Sequence, residues 1–335
     1  MLRIGLLGCG FIGSIHARAL KRIPGVRVTV VADQDPARAG SVAAELGAAV
    51  AESCEEAIAC PDLDIIDICL PTYLHSRYAV SACQAGKNVF CEKPMAIDLA
   101  QADAMIRAAA DAGVMLMIGH VLRFWPEYVT IRDIVRSGEL GRPLAVTACR
   151  LGTAPIWSWD RWLLDPGRGG QAALDLHIHD LDYIAWLLGR PDSVSAVGVR
   201  SASGGWDHVF TTIRYDAGPI ASAEGTFLVP SSYPFTSSLR VVCEEGAVDY
   251  MFRAGKNIEG GDSAPGGVMV YRGIGEASRR EVNQADAYRS ELEYFVRCLE
   301  QGEPLAAITP EDARLSLAIS LAAIQSMETG EIVEV

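Results

Sequence analysis

At 335 residues the chain is long enough for two domains with sizeable cores. Half of it is apolar and 21% is charged, the balance of an ordinary globular protein. A net charge of −13 with no basic stripe argues against nucleic acid and anionic membrane surfaces as partners.

Residues 1 to about 120 alternate strand and helix. Arg3-Ile4-Gly5-Leu6-Leu7-Gly8 reads as a short buried strand, and Gly8-Cys9-Gly10-Phe11-Ile12-Gly13 follows with the spacing G-x-G-x-x-G. Ile12 to Leu20 has helical spacing, so the glycines sit at a strand-to-helix turn. There a dinucleotide pyrophosphate can approach backbone N–H groups at a helix N-terminus. Gly8 permits the tight turn, Gly10 leaves room for the phosphates, and Gly13 lets helix and strand pack closely. A second strand, Val26 to Ala32, ends at Asp33, twenty residues past Gly13. A carboxylate there accepts bonds from a ribose 2′-OH and repels a 2′-phosphate, so NAD is expected over NADP. Arg38 is near but falls in the next helix, Pro36 to Leu46.

Asp64 to Leu70 is a β-branched strand closed by Pro71, and a helix runs on through Gly86. Asn88 to Cys91 is the next strand. Asp98 opens a helix, with Gln101 three residues on as a capping box. Val114 to Ile118 is a further strand. The alternation predicts a doubly wound parallel sheet, α/β in class. Ligands bind beyond the C-terminal strand ends of such sheets. That places Gly8 to Gly13, Asp33, Pro71-Thr72 and Glu92-Lys93-Pro94 around one crevice.

From about residue 121 the pattern changes, so the expected domains are 1–120 and 121–335. Glu127 to Arg136 and Asp175 to Leu188 are predicted helices. Val209 to Tyr215 alternates as a strand, turned by Asp216-Ala217-Gly218. Leu239 to Cys243 and Val248 to Phe252 flank Glu244-Glu245-Gly246 as a hairpin. These pieces predict an α+β domain with a large, open, mainly antiparallel sheet. Its uncovered face needs a partner or solvent. Gly255 to Gly267 reads as a loop. Leu292, Phe295, Val296 and Leu299 mark an amphipathic helix. Thr309-Pro310-Glu311-Asp312 starts a last helix, apolar nearly all round and so expected to be buried. The two C-terminal helices could pack back on the first domain.

Nine cysteines are scattered with no C-x-x-C pair, which fits a reducing cytoplasm and gives zinc no support. The first residues begin a strand at once, and no stretch of ~18 apolar residues is present to span a bilayer. A cytoplasmic protein is expected.

Three residues could carry chemistry. Lys93, at the ligand edge of the parallel sheet, could hold a substrate hydroxyl and stabilise negative charge on its oxygen. Asp175 and His179, four apart on a predicted helix, share a face, so the carboxylate could orient the imidazole as a general base. The preceding Gly169-Gly170 allows close backbone approach. His177 and Asp180 point elsewhere and read as structural. His177 and His179, some 200° apart on a helix, could not hold one metal ion together, so no metal is expected. His16, His75 and His120 are scattered, with His16 either packed or near the phosphates. Trp157, Trp159 and Trp162 are open to two readings, core packing or stacking on a sugar ring.

With these residues assembled, the chain resembles the glucose–fructose oxidoreductase/inositol dehydrogenase (Gfo/Idh/MocA) family over essentially its whole length. The resemblance rests on Gly8-Cys9-Gly10-Phe11-Ile12-Gly13, Pro71-Thr72-x-x-His75, Glu92-Lys93-Pro94, Arg123-Phe124, Gly169-Gly170, Asp175-x-x-x-His179 and Thr309-Pro310-Glu311-Asp312-Ala313. It implies hydride transfer between nicotinamide and a carbinol of a sugar, inositol or related polyol. Lys93 and Asp175 would bind the reacting hydroxyl, and His179 would be the acid/base. The cofactor would lie against Gly8, Gly10, Phe11, Ile12, Gly13, Asp33, Pro71, Thr72, His75, Glu92 and Lys93. Arg123, Trp157 and Trp162 would join Lys93, Asp175 and His179 around the substrate. Lys93 and His179 lie 86 residues apart, yet the mechanism requires both on one hydroxyl. A homodimer or homotetramer through the open sheet is implied. Two departures stand out: Gln171, where the family often has a third glycine, and His177, where it often has a small residue. An NAD-dependent glycosidase of the same family and a non-catalytic NAD-binding protein are the alternatives.

Overall fold

The computed structural model describes residues 1–216, 218–254, 267–275 and 277–335. The loop expected from Gly255 to Gly267 therefore lies, but for Gly267, outside the described residues, as does Ala217 in its expected turn.

The first strands are β1 (Leu2–Leu7), β2 (Val26–Ala32), β3 (Ala49–Val50), β4 (Ile65–Ile68), β5 (Asn88–Glu92) and β6 (Leu116–Gly119). All pair parallel, in the order β3-β2-β1-β4-β5-β6. Residues of β4 and β6 are buried throughout, as strands covered on both faces must be. The order reverses at β1, so the turns after β1 and β4 open at the switch point where such sheets bind ligands.

The helices between them are α1 (Phe11–Leu20), α2 (Pro36–Leu46), α3 (Cys54–Ala59), α4 (Thr72–Gln84) and α5 (Leu99–Ala112). Local chemistry sets their ends. Asp35 accepts the N–H groups of Ala37 and Arg38 at the start of α2, and Asp98 accepts that of Gln101 at the start of α5. Gln101 Nε2 donates to the Asp98 carboxylate at 3.0 Å, a side-chain bond in place of the return bond to the Asp98 N–H that a capping box would make.

Further on come α6 (Pro126–Ser137), β7 (Pro143–Leu151), α7 (Ile178–Leu188), β8 (Ser193–Arg200), β9 (Trp206–Arg214), β10 (Ile220–Thr226), β11 (Thr236–Cys243), β12 (Gly246–Arg253), β13 (Val268–Arg272) and β14 (Ser278–Arg280). The chain closes with α8 (Ala287–Gln301), α9 (Pro310–Thr329) and β15 (Val333–Glu334). Among the described residues the second sheet has nine strands, ordered β14-β13-β12-β11-β7-β10-β9-β8-β15. Its pairs are antiparallel except β7 with β10. The β11–β12 hairpin is the one expected around Glu244-Glu245. Sequence patterning did not find β7, because its Thr147, Cys149 and Arg150 blur the alternation. The strand nonetheless lies at the centre of the sheet.

The chain divides into two compact units, Met1–Phe124 with Ala285–Arg314, and Trp125–Gln284 with Leu315–Val335. Both are discontinuous in sequence. In the first, α8 packs on α1 and on the short 3-10 turn Val121–Phe124. Phe295 of α8 meets Phe90 of β5 edge-on, with ring centroids 5.7 Å apart. In the second, one sheet face carries α6 and α7, with Tyr128 stacked edge-on against Tyr183 and Tyr250. Arg150 of β7 makes a two-pronged, fully buried ion pair with Asp180 of α7 at 2.8 and 2.9 Å. Val197, Val199, Phe210, Ile220, Met251 and Tyr271 of the same sheet are exposed apolar residues.

Thr309 Oγ1 accepts the N–H of Asp312, and the Asp312 carboxylate accepts that of Thr309, so α9 starts as its sequence says. Along α9, Ala313, Leu317, Ile319, Ala322 and Ala323 are buried. Its buried serines are paired, Ser316 with Asp182 at 2.7 Å and Ser326 with the Ala196 N–H at 2.9 Å.

Candidate active site

In the first unit the site begins at the turn after β1. Gly8 has φ +92°, and a Cβ there would lie 2.4 Å from Cys69 O. A Cβ on Gly13 would lie 1.9 Å from Gly8 O. Neither position tolerates a side chain. At Gly10 a Cβ would meet nothing within 4 Å, and no side chain caps α1. The turn therefore leaves open the space a pyrophosphate needs beside a helix N-terminus. Phe11 is exposed and Ile12 half-buried at its rim.

Asp33 is held at the same turn. Its Oδ2 accepts the Cys9 N–H at 2.8 Å and its Oδ1 accepts the Asp35 N–H at 2.8 Å. Arg38 reaches back from α2 to within 3.3 Å of Asp33 and of Asp35. Its guanidinium thus stands beside the Asp33 carboxylate.

After β4, Pro71 and Thr72 open α4, and the Thr72 hydroxyl is buried without a hydrogen-bond partner. His75 is buried, with Nδ1 2.8 Å from Pro94 O and Nε2 2.7 Å from Leu70 O. It joins the turns after β4 and β5, and burial pushes its pKa down against the two carbonyl contacts, which raise it. Glu92 closes β5, and its Oε2 accepts the Lys93 N–H at 3.1 Å. Lys93, half-buried, precedes a cis peptide to Pro94. The first unit thus brings Gly8 to Gly13, Asp33, Thr72 and Lys93 to the C-terminal edge of one sheet. Arg123 lies on the 3-10 turn that follows β6. It is 4% exposed, and its guanidinium donates to Ala307 O at 3.0 Å and to Asp312 at 3.3 Å.

In the second unit, Gly169 and Gly170 are also required by space. A Cβ on Gly169 would lie 2.9 Å from Trp162 O, and one on Gly170, at φ +71°, 2.5 Å from Leu174. Gln171 then holds φ +57° and ψ −153°, a conformation that glycine adopts freely. Its side chain offsets the strain. Nε2 donates to Leu164 O at 2.8 Å and to the hydroxyls of Ser201 and Ser203. Gly205 leaves the room, since a Cβ there would overlap Gln171 Oε1. The departure from a third glycine therefore keeps the glycine backbone and adds a side-chain anchor.

The continuous helix expected from Asp175 is corrected. Ala172–Leu176 forms a π-helical turn, and the regular helix α7 starts at Ile178. The extra residue per turn changes the angle between Asp175 and His179, so four-residue spacing alone does not fix their geometry. Asp175 is buried at 9% exposure and His179 half-buried. His177 is fully buried, with Nε2 2.8 Å from the Thr211 hydroxyl. Burial, then the positive charge of Arg150, push it down to about 3, so it stays neutral. His177 and Asp180 are thus both buried and held by partners of the second unit, Thr211 and Arg150. The tryptophans are not core: Trp157 is 64% and Trp159 41% exposed, and Trp162 is half-buried.

Comparison with known proteins agrees with this fold. Residues 2–120 match an oxidoreductase family with an NAD-binding Rossmann fold, GFO/IDH/MocA, and residues 128–249 match the GFO/IDH/MocA C-terminal domain. An inositol 2-dehydrogenase of Rhizobium meliloti is 29% identical, covering 97% of each chain. An NADP(+) D-xylose 1-dehydrogenase of Haloferax volcanii is 29% identical over 99% of each chain. The structure of GenD2 from gentamicin A biosynthesis, in complex with NAD, superposes with a TM-score of 0.84 at 25% identity, covering 100% of this chain and 96% of that one. With both of its domains matched, this chain belongs to the GFO/IDH/MocA family of oxidoreductases.

Proposed function

We propose that this protein transfers hydride between a carbinol of a sugar, inositol or related polyol and NAD. The observation that carries the reading is the shared sheet edge of the first unit, where the open Gly10 turn, Asp33 and Lys93 stand together. Relatives named as inositol and sugar dehydrogenases supply the substrate class. Bound nicotinamide supplies the hydride acceptor. The chain's own residues do the rest. His179 takes the hydroxyl proton onto a ring nitrogen as the carbinol carbon gives up hydride, and returns it in the reverse direction. Lys93 donates to the same oxygen and stabilises the negative charge that develops on it. Asp175 orients the hydroxyl. Asp33 holds the adenosine ribose, with Arg38 turned toward its carboxylate, so NAD is preferred over NADP.

The exposed apolar residues of the second sheet support a homodimer or homotetramer formed through that face. No helix among the described residues is long and apolar enough to cross a membrane. The described cysteines are all free thiols, which supports a reducing compartment such as the cytoplasm.

The test is a panel of inositols, aldoses and other polyols with NAD, read at the NADH absorbance. Net NADH release on one of them is expected. Glycoside cleavage without net NADH would favour the hydrolase alternative. NAD binding without turnover of any member would favour a binding protein.

A further inference from the structure

Behind Lys93, the first unit buries a set of ionisable groups that the proposed reaction does not use. His16 of α1 is 0% exposed, and both ring nitrogens face carboxylates. Nδ1 lies 3.0 and 3.1 Å from the oxygens of Asp67, on β4, and Nε2 lies 3.0 Å from Oε1 of Glu92, on β5. Glu291 of α8, also 0% exposed, has neither carboxylate oxygen hydrogen-bonded. One of them lies within 4.8 Å of both the His16 ring and the Glu92 carboxylate.

We propose that His16 and Asp67 are positioning residues for Lys93, acting through the Glu92 carboxylate that accepts the Lys93 N–H. The inference rests on the proposed role of Lys93. Glu92 has two oxygens with two duties: Oε2 fixes the Lys93 backbone, and Oε1 is fixed by His16. Asp67 fixes the other side of the ring. The line Asp67–His16–Glu92–Lys93 therefore ties two strands and a helix to the turn that presents the ammonium group.

Charge balance assigns the protons. An imidazole with a carboxylate at each nitrogen donates from both only as the cation. Burial alone would remove that proton, but Cys69 and Asp67 overcome it and hold His16 well above the ordinary histidine range. Of those two, Asp67 supplies the charge, because burial pushes the Cys69 thiol up and keeps it neutral. Burial would also protonate Glu92, but His16 and Lys93 keep it ionised. Glu291 has no cation of its own, and burial with the nearby Glu92 charge keeps it a neutral acid. The groups facing the set are Cys69, Cys91 and Lys93 from the strand ends, and Asp286, Tyr288 and Glu291 from α8 with its cap. A second reading of the same atoms is a divalent cation on His16, Glu92 and Glu291.

The full-length protein, labelled with 15N-histidine, answers the question directly. The expected spectrum has one imidazole protonated at both nitrogens at pH 8, and that signal vanishes in His16→Asn. In acetylation at pH 8, read by mass spectrometry, the Lys93 rate relative to Lys21 is expected to change at least threefold in His16→Asn. Glu291→Gln, which keeps a neutral acid's shape, is expected to leave that ratio and the melting temperature unchanged. If His16→Asn does not fold, Glu92→Gln tests the same tie. For any polyol the parent oxidises, His16→Asn should lower kcat about tenfold with KM for NAD unchanged. Three results would overturn the proposal: a folded His16→Asn or Glu92→Gln with parental Lys93 labelling, the absence of the doubly protonated imidazole, or one equivalent of bound metal that Glu291→Gln releases. Altered labelling in a protein that turns over no polyol supports the positioning role and defeats only the proposed reaction.

Discussion

His16 in the first unit and His177 in the second are both fully buried. His16 sits between Asp67 and Glu92 and is held charged. His177 meets a hydroxyl on one side, with Arg150 adding positive charge, and is held neutral. Equal burial thus gives opposite charge states, because the neighbours decide which form the interior accepts. The charged ring is tied to the Lys93 turn. The neutral one follows the π-turn that carries Asp175, faces Thr211 of β9 and stands two residues before His179.

The contrast is sharpest between His177 and His179. If His179 is the general base, His179→Ala should lower turnover roughly 10²–10⁴-fold. NAD affinity, measured by fluorescence titration, should stay near normal, since the cofactor residues lie in the first unit. Near-normal turnover would return His179 to the structural role of its neighbour.

The two buried rings should also respond to pH in opposite senses. His177 has a folded pKa of about 3 against an ordinary 6.5. Its contribution is present above pH 6.5 and is lost as pH falls toward 3, for an upper limit of roughly 3–5 kcal/mol. His16 has a raised folded pKa, so its contribution is present below about 6.5 and is lost as pH rises through the folded value. Melting temperatures from pH 4 to 9 should show a shallower acid limb in His177→Leu and a shallower alkaline limb in His16→Asn. A His177→Leu profile parallel to the parent's would break the comparison.

Each unit also has a turn that demands glycine geometry, and only the second fills a position with another residue. Gln171→Ala keeps the strained φ and loses the side-chain bonds, so it should destabilise by about 2–3 kcal/mol in urea unfolding. Gln171→Gly loses the same bonds but relaxes the backbone, and should cost about 1 kcal/mol less. Equal losses would mean that the backbone there is unstrained.

The smallest effect is expected at Asp33. NAD should bind at least about tenfold more tightly than NADP, a difference of about 1.4 kcal/mol. Asp33→Ala removes the repelling carboxylate and frees Arg38 for a 2′-phosphate, so the preference should narrow. Equal affinities in the parent protein would refute the role given to Asp33.

Local chemistry made much of the first unit legible from sequence. Gly8, Gly10 and Gly13 announce a turn because only backbone space and φ are at issue. Asp98 and Thr309 announce helix starts because a cap bonds within three residues. Buried parallel strands read as mostly apolar runs, so β1, β2, β4 and β5 could be placed closely.

What the sequence could not decide depends on long-range neighbours. The strand β7 gains its identity from pairing with β10 and β11, and its own residues alternate too weakly to declare it. The π-turn at Asp175 is a shift of backbone hydrogen bonds, His177 N–H to Ala172 O, that no side-chain pattern records. Arg123 meets Asp312 only because the fold brings together residues 189 apart in sequence. His16 looked like any helix histidine. Its charge comes from Asp67 and Glu92, 51 and 76 residues away, and only the folded sheet brings them to its two nitrogens. Spacing fixes what a residue can do with its own backbone, and tertiary structure fixes its charge, because charge is set by whichever groups share its dry surroundings.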